Sequence, residues 1–226
     1  MGDEGGRAAA KRLVERGYDR IADDYLAGKA PLGPETEALL HALTAGLGSD
    51  ARVLDLGCGA GVPVTTWLAQ RHRVTGVDLS ARQLALARER LPGATLVRAD
   101  MGTVAFAPGA FDAVVSCYAI IHLPREEHPA LLASIARWLR PGGRFLATWP
   151  LTDWEGREED WFGWGAPMWW SHHDEATNLR LLGEAGFAIE RTELREGEER
   201  WLWALGRVTS ERSSVVGRRS SGMRAG

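Results

Sequence analysis

Residues 53–61, Val-Leu-Asp-Leu-Gly-Cys-Gly-Ala-Gly, constrain what this 226-residue chain can fold into more than any other stretch. Val53, Leu54 and Leu56 form a short apolar run of the kind that fills a buried parallel strand, and it runs directly into Gly57, Gly59 and Gly61. Glycines at these positions permit positive φ and let a ligand approach the backbone closely. Pro63 is tolerated early in a following helix, because the N–H it lacks would have no intrahelical partner there. The stretch predicts a strand, a glycine turn and a helix N-terminus, which is an arrangement suited to a nucleotide.

Which nucleotide follows from the spacing. The dinucleotide fingerprint G-x-G-x-x-G would require glycine at position 62, and the chain has Val62. That argues against an NADH-dependent oxidoreductase. Asp55, two residues before the first glycine, would repel a pyrophosphate and suits a ligand that carries a cation. S-adenosylmethionine, with its sulfonium and ammonium, is such a ligand. The acidic-x-G-x-G-x-G stretch resembles the first motif of the class I S-adenosylmethionine-dependent methyltransferases, and the resemblance implies that Asp55, Gly57, Cys58 and Gly59 grip the methionine end of that cofactor.

Two further acids follow at matching places. Residues 73–77 read as a second strand ending in Asp78, where a carboxylate of a doubly wound sheet reaches a ribose held over the first loop. Ser80 is the better cap for the helix that follows, which leaves Asp78 for the ligand. Residues 94–99 read as a third strand, again ending in an acid, Asp100. The resemblance implies that Leu79 covers the adenine, that Gln83 faces the site from one turn into the next helix, and that Asp100 and the backbone of Met101 read the adenine edge. Residues 111–116 form a fourth strand, and the resemblance brings the carbonyl of Cys117 at its end to the cofactor's ammonium.

The substrate side is less sharply written. Residues 7–27 carry Leu13, Val14, Tyr18, Ile21, Ala22 and Tyr25 at three- and four-residue steps, an amphipathic helix, and a second helix is predicted at 34–47. Its Tyr-Asp-x-Ile-Ala-x-x-Tyr stretch resembles one that lies across the cofactor pocket in many small-molecule methyltransferases, which places Tyr18 and Tyr25 at the cofactor unless they simply pack. His122, five residues past Cys117, is a candidate base, or else a satisfied turn histidine. A helix at 125–139 stops at Leu-Arg-Pro-Gly-Gly, and residues 144–149 read as a fifth strand. After residue 150 the chain changes character: Trp154, Trp161, Trp164, Trp169 and Trp170 are five of its ten tryptophans. This segment, 150–173, predicts an aromatic lid, or alternatively a hydrophobic dimer patch. Trp164, Trp169, Trp170 and His173 of this segment, with Tyr118 and Trp149, are the expected substrate-facing residues; adjacent residues of a strand point to opposite sides, so only one of His172 and His173 can serve as an acid/base group, and His172 is favoured. Residues 169–187 resemble the Trp-Ser-His-x-Asp…Leu-Leu-x-x-Ala-Gly-Phe stretch of bacterial small-metabolite methyltransferases, with Ser171 or Asp174 as a helix cap.

Residues 187–194 and 200–207 read as a hairpin turning near Gly197, and 208–226 as a disordered basic tail. The β-α alternation predicts one doubly wound α/β domain over residues 1–207 with a mostly parallel sheet. The resemblance implies seven strands with the last antiparallel and the N-terminal helices covering the cofactor. A hydrophobic content of 45% suffices for one core, and a net charge of −3 gives no general attraction to nucleic acid or anionic membrane. Cys58 and Cys117, with no Cys/His metal spacing around them, fit a reducing cytoplasm and no metal. No apolar run approaches the ~18 residues of a membrane span, and the N-terminus lacks a signal-peptide core. The expected protein is a cytoplasmic monomer or homodimer that methylates an oxygen or nitrogen of a small aromatic or apolar molecule. A regulator that binds the cofactor without methyl transfer and a protein methyltransferase are the alternatives.

Overall fold

The computed structural model describes residues 4–195 and 200–209. Two helices, α1 (Glu4–Ala27) and α2 (Pro34–Leu43), precede the first strand β1 (Arg52–Leu56). The chain then alternates: α3 (Val64–Ala69), β2 (Arg73–Asp78), α4 (Ala81–Arg90), β3 (Thr95–Arg98), β4 (Phe111–Ser116), α5 (His128–Trp138) and β5 (Leu139–Pro150). A separate hairpin, β6 (Trp154–Glu158) and β7 (Met168–His172), is followed by α6 (Glu175–Glu184), β8 (Phe187–Arg195) and β9 (Trp201–Val208).

The main sheet has seven strands in the order β3-β2-β1-β4-β5-β9-β8. Its strands are parallel except β9, which runs antiparallel to both β5 and β8. Period-two alternation sorts its side chains into two layers. Leu54, Leu56, Val114, Phe145, Ala147 and Trp149 face one core, which also holds Leu131, Ile135, Leu181 and Leu182 from α5 and α6. Val53, Ala113, Val115, Leu146, Trp203 and Leu205 face the other, with Leu39, Leu40 and Leu43 of α2 and Leu68 of α3. Strand order reverses between β1 and β4, so their crossovers diverge and leave a crevice at the carboxyl ends, where ligands of open α/β sheets bind.

Several elements differ from the sequence expectation. Helix α2 ends at Leu43, short of the predicted 47. Strand β5 starts at Leu139: Leu139 pairs with Phe111, and pairing resumes at Ala113↔Arg144, so Pro141 and Gly142 lie in an irregularity of the strand. Asp174 caps α6, its Oδ1 accepting from Thr177 N at 2.8 Å, whereas Ser171 lies on β7 and accepts from Arg125 N at 3.0 Å. Val208 belongs to β9, and Thr209 donates its amide to Gly186 O at 3.0 Å. The predicted turn near Gly197 and the rest of the tail lie outside the described residues. Among the described residues no helix is long and apolar enough to cross a membrane.

Candidate functional site

Helix α1 lies across the carboxyl ends of the strands, and charged contacts along its length fix it there. Lys11 Nζ sits 2.7 Å from Asp100 Oδ2 and 2.5 Å from Glu127 Oε2. Asp19 Oδ1 accepts from Ser80 Oγ at 2.5 Å and from Arg82 N at 3.0 Å, and Arg82 forms a forked pair with Asp23. Gly17 permits close packing on the hairpin, since a Cβ there would lie 2.8 Å from Pro167 O. Between α1 and the sheet lies a cavity of about 320 Å³, in the range of small-molecule sites.

The glycine loop forms the cavity floor. Gly57, Gly59 and Gly61 all have positive φ, at 77°, 53° and 82°. A Cβ on Gly57 would meet Ala119 Cβ at 2.1 Å and one on Gly61 would meet Leu91 at 2.4 Å, so packing excludes side chains at both. Above Gly59 the space is open except for Gln83 Oε1 at 3.6 Å. Gln83 is buried, and among the described residues neither its Oε1 nor its Nε2 has a hydrogen-bond partner. Buried amides left unpaired are costly, and this one borders the cavity, where a ligand can reach it.

Three strands bring three aspartates to the cavity, as the sequence predicts. Asp55 is buried on β1, with Oδ2 accepting from Thr65 Oγ1 at 2.7 Å. Burial pushes its carboxyl up to about 7, the Thr65 hydrogen bond opposes the rise and Asp78 adds to it. Asp78 accepts from Gly59 N at 2.8 Å and from Ser80 N at 2.9 Å, which couples the first loop to the end of β2. Burial raises its carboxyl above the ordinary value, against those amide hydrogen bonds. Ser80 caps α4, its Oγ accepting from Gln83 N at 3.1 Å. Asp100 accepts from Gly102 N at 2.8 Å besides holding Lys11.

Tyr18, Tyr25, Cys58, Leu79, Met101, Cys117, Tyr118 and His122 also line the cavity. Tyr18 and His122 form a directed pair: Tyr18 Oη lies 2.9 Å from His122 Nε2, and His122 Nδ1 lies 2.9 Å from Trp169 O. A carbonyl only accepts, so the ring proton is on Nδ1 and Nε2 accepts from the Tyr18 hydroxyl. Burial pushes His122 down to about 4 and Tyr18 well above its ordinary value, so both are neutral near pH 7. Tyr118 has a φ of 57°, a left-handed backbone unusual for a side-chain-bearing residue, and its N–H donates to Thr148 Oγ1 at 2.7 Å.

Six expected substrate-side or acid/base residues are not on the cavity wall, and each has a local reason. Trp149 is buried, and alternation along β5 sets it with Phe145 and Ala147 in the first core. Trp164, Trp169 and Trp170 pack with Val14, Ile21, Tyr18 and Tyr25. Trp161 stands 5.8 Å and 5.6 Å from the Tyr18 and Tyr25 ring centres, so the tryptophan hairpin supports α1 from behind. His172 bonds through Nδ1 to Thr152 O at 2.6 Å, and His173 Nδ1 lies 3.7 Å from Asp153 Oδ2. The cavity adds residues that the motifs do not mark: Lys11, Lys29, Thr36 and Trp203. Lys11 precedes Tyr18 by seven residues and Tyr25 by fourteen, so the same helical stripe carries all three. Among the described residues no cluster of His, Cys, Asp or Glu could hold a metal ion.

A seven-stranded sheet with one reversed strand, a glycine loop after β1 and acids at or near the carboxyl ends of the first three strands defines a nucleotide-cofactor protein of the doubly wound class. A methyltransferase domain model matches residues 53–143. An uncharacterized methyltransferase of Synechocystis sp. is 31% identical over 156 residues, which cover 65% of this chain and 71% of that protein. Trans-aconitate 2-methyltransferase of Deinococcus radiodurans is 43% identical over 97 residues, 41% of this chain and 35% of that one. Among solved structures, 1,6-didemethyltoxoflavin-N1-methyltransferase of Burkholderia thailandensis, with bound 1,6-didemethyltoxoflavin and S-adenosylhomocysteine, shares the fold at a TM-score of 0.70, 23% identity and 92% coverage of each chain. The chain belongs to the class I S-adenosylmethionine-dependent methyltransferases. It spans 28%, 40%, 35% and 20% of four curated relatives that it matches.

Proposed function

We propose that the protein transfers the methyl group of S-adenosylmethionine to an oxygen or nitrogen of a small planar or apolar molecule. The observation that carries this reading is the Gln83 amide facing the open space over Gly59, in the cavity that Asp55 and Asp78 also line, with no hydrogen-bond partner among the described residues. S-adenosylmethionine supplies a methyl carbon already activated by its sulfonium. Asp55 would offset that positive charge or the ammonium, with the carbonyl of Cys117. Asp78 would accept from the ribose hydroxyls through lone pairs its two amide hydrogen bonds leave free. Leu79, Asp100 and Met101 would hold the adenine, and Lys11 would yield part of its hold on Asp100 as they do.

With the cofactor so placed, the chain's work is alignment, which supplies ~7–11 kcal/mol in well-oriented reactions. The acceptor's lone pair forms the bond to the methyl carbon as the carbon–sulfur pair returns to sulfur. A protonated acceptor must also lose a proton, and Tyr18 with His122 offers a path: the Tyr18 oxygen takes it while the Tyr18 proton passes to His122 Nε2. Names of relatives support the substrate class, since both trans-aconitate and 1,6-didemethyltoxoflavin are small and carry several sp² atoms. The test is formation of S-adenosylhomocysteine by purified protein over a panel of small acceptors. Turnover with one of them is expected; tight cofactor binding with silence across the panel would instead favour a regulator that does not methylate.

A further inference from the structure

Resting on the methyltransferase reading, we infer that the acceptor is a small organic acid whose carboxylate is held by Lys29. Charge in the cavity is divided. Asp55, Asp78 and Asp100 stand at the ends of the first three strands, the side assigned above to the cofactor. Two cations line the wall, Lys11 and Lys29. Lys11 is neutralised by Asp100 and Glu127. Lys29 has no carboxylate within 4.0 Å among the described residues; its ammonium donates to Tyr25 Oη at 2.7 Å and lies 4.0 Å from the centre of the same ring. An ammonium has three donors, and the cavity offers Lys29 one phenol.

Its position suits an acceptor. Lys29 follows α1 at the start of the connection whose Ala30, Pro31, Leu32 and Gly33 form an apolar part of the same wall. Across the cavity stand Cys117 and Tyr118, at the carboxyl end of β4. Burial and the negative charge of Asp55 push the Cys117 thiol up, and the charges of Lys29 and Arg195 act against them, so Lys29 is felt at this end of the cavity. Arg195 lies with its guanidinium carbon 4.0 Å from the ring centre of Trp203. Trp203 lines the cavity beside Tyr118, and its buried indole N–H approaches the Tyr118 hydroxyl without a well-formed hydrogen bond to it. An unpaired ammonium, an underused indole donor and apolar walls fit a flat molecule that ends in a carboxylate. A cationic acceptor would meet like charge there.

The experiment uses wild-type protein loaded with S-adenosylhomocysteine, titrated calorimetrically with matched aromatic and aliphatic carboxylates and their carboxamides. Acids are expected to bind at least tenfold more tightly than the matching amides. Lys29→Met should cut acid affinity at least tenfold with little change for the amides, and Lys29→Arg should restore part of it. Amides or amines that bind as well as acids, acids that do not bind at all, or acid affinity untouched by Lys29→Met would each overturn the inference. Loading with S-adenosylhomocysteine separates the two readings: if it does not bind, the methyltransferase reading itself fails, whatever the acids do.

Discussion

Asp55 makes the site's electrostatics testable without any substrate. Its carboxyl stands near 7 in the folded protein because burial penalises the charged form, against about 4 in an unfolded chain. A folded-state value raised above the unfolded one means the folded protein binds more protons between those limits, so the contribution of Asp55 to stability falls as pH rises from about 4 to about 7 and stays unfavourable above. Roughly three units at 1.36 kcal/mol each cap the effect at about 4 kcal/mol, and relaxation of the site with water entry brings a realistic figure nearer ~2 kcal/mol. Asp55→Asn removes the titration and keeps an oxygen for Thr65. Thermal unfolding of both proteins without cofactor, from pH 5.5 to 8.5, a window that holds about half of the effect, should show the variant gaining on wild type by about 2–4 °C as pH rises, at about 2–4 °C per kcal/mol for a chain of this length. The same variant should bind S-adenosylmethionine more weakly, because the charge that destabilises the empty site offsets the cation. A Tm difference that stays flat across this pH range would refute the burial argument.

Two further outcomes follow from the geometry. Gly57→Ala places a Cβ 2.1 Å from Ala119 at a φ of 77°, so unfolding should begin about 5–10 °C lower, and a Tm within 1 °C of wild type would contradict the packing described. Tyr18→Phe keeps the ring in its aromatic cluster and removes the proton path to His122; for an acceptor that must lose a proton, kcat should fall about a hundredfold with cofactor affinity within threefold of wild type, and an unchanged kcat would remove Tyr18 from the chemistry.

The glycine-loop end of the cavity was legible in the chain because its chemistry is local. An apolar run, a glycine turn and an acid two residues upstream follow one another in nine residues, and Asp78 and Asp100 each end a strand that the pattern already marks. The end with Lys29 and Trp203 was not, because its residues meet only through the fold. Trp203 reaches the cavity because β9 pairs with β5 at Thr148, and Lys29 because α1 crosses the sheet. The tryptophans were visible as a cluster but not as a hairpin: residues 154–172 lack the period-two alternation of a half-buried strand, and their rings pack on α1 where Gly17 makes room. His172 looked available because its partner is a backbone carbonyl, that of Thr152, which no side-chain pattern announces.

The central claim is that the crevice beneath α1 binds the adenosyl cofactor, with Asp78 as its ribose acceptor. Calorimetric titration with S-adenosylhomocysteine tests it most directly, using wild type, Asp78→Asn and Asp78→Ala, each checked for folding by its thermal transition. Wild type should bind one equivalent, and a charged acceptor of two hydrogen bonds, at about 1.5–3 kcal/mol each, implies a loss of at least tenfold in Asp78→Asn and more in Asp78→Ala. A dissociation constant unchanged in a folded Asp78→Ala protein would contradict the account.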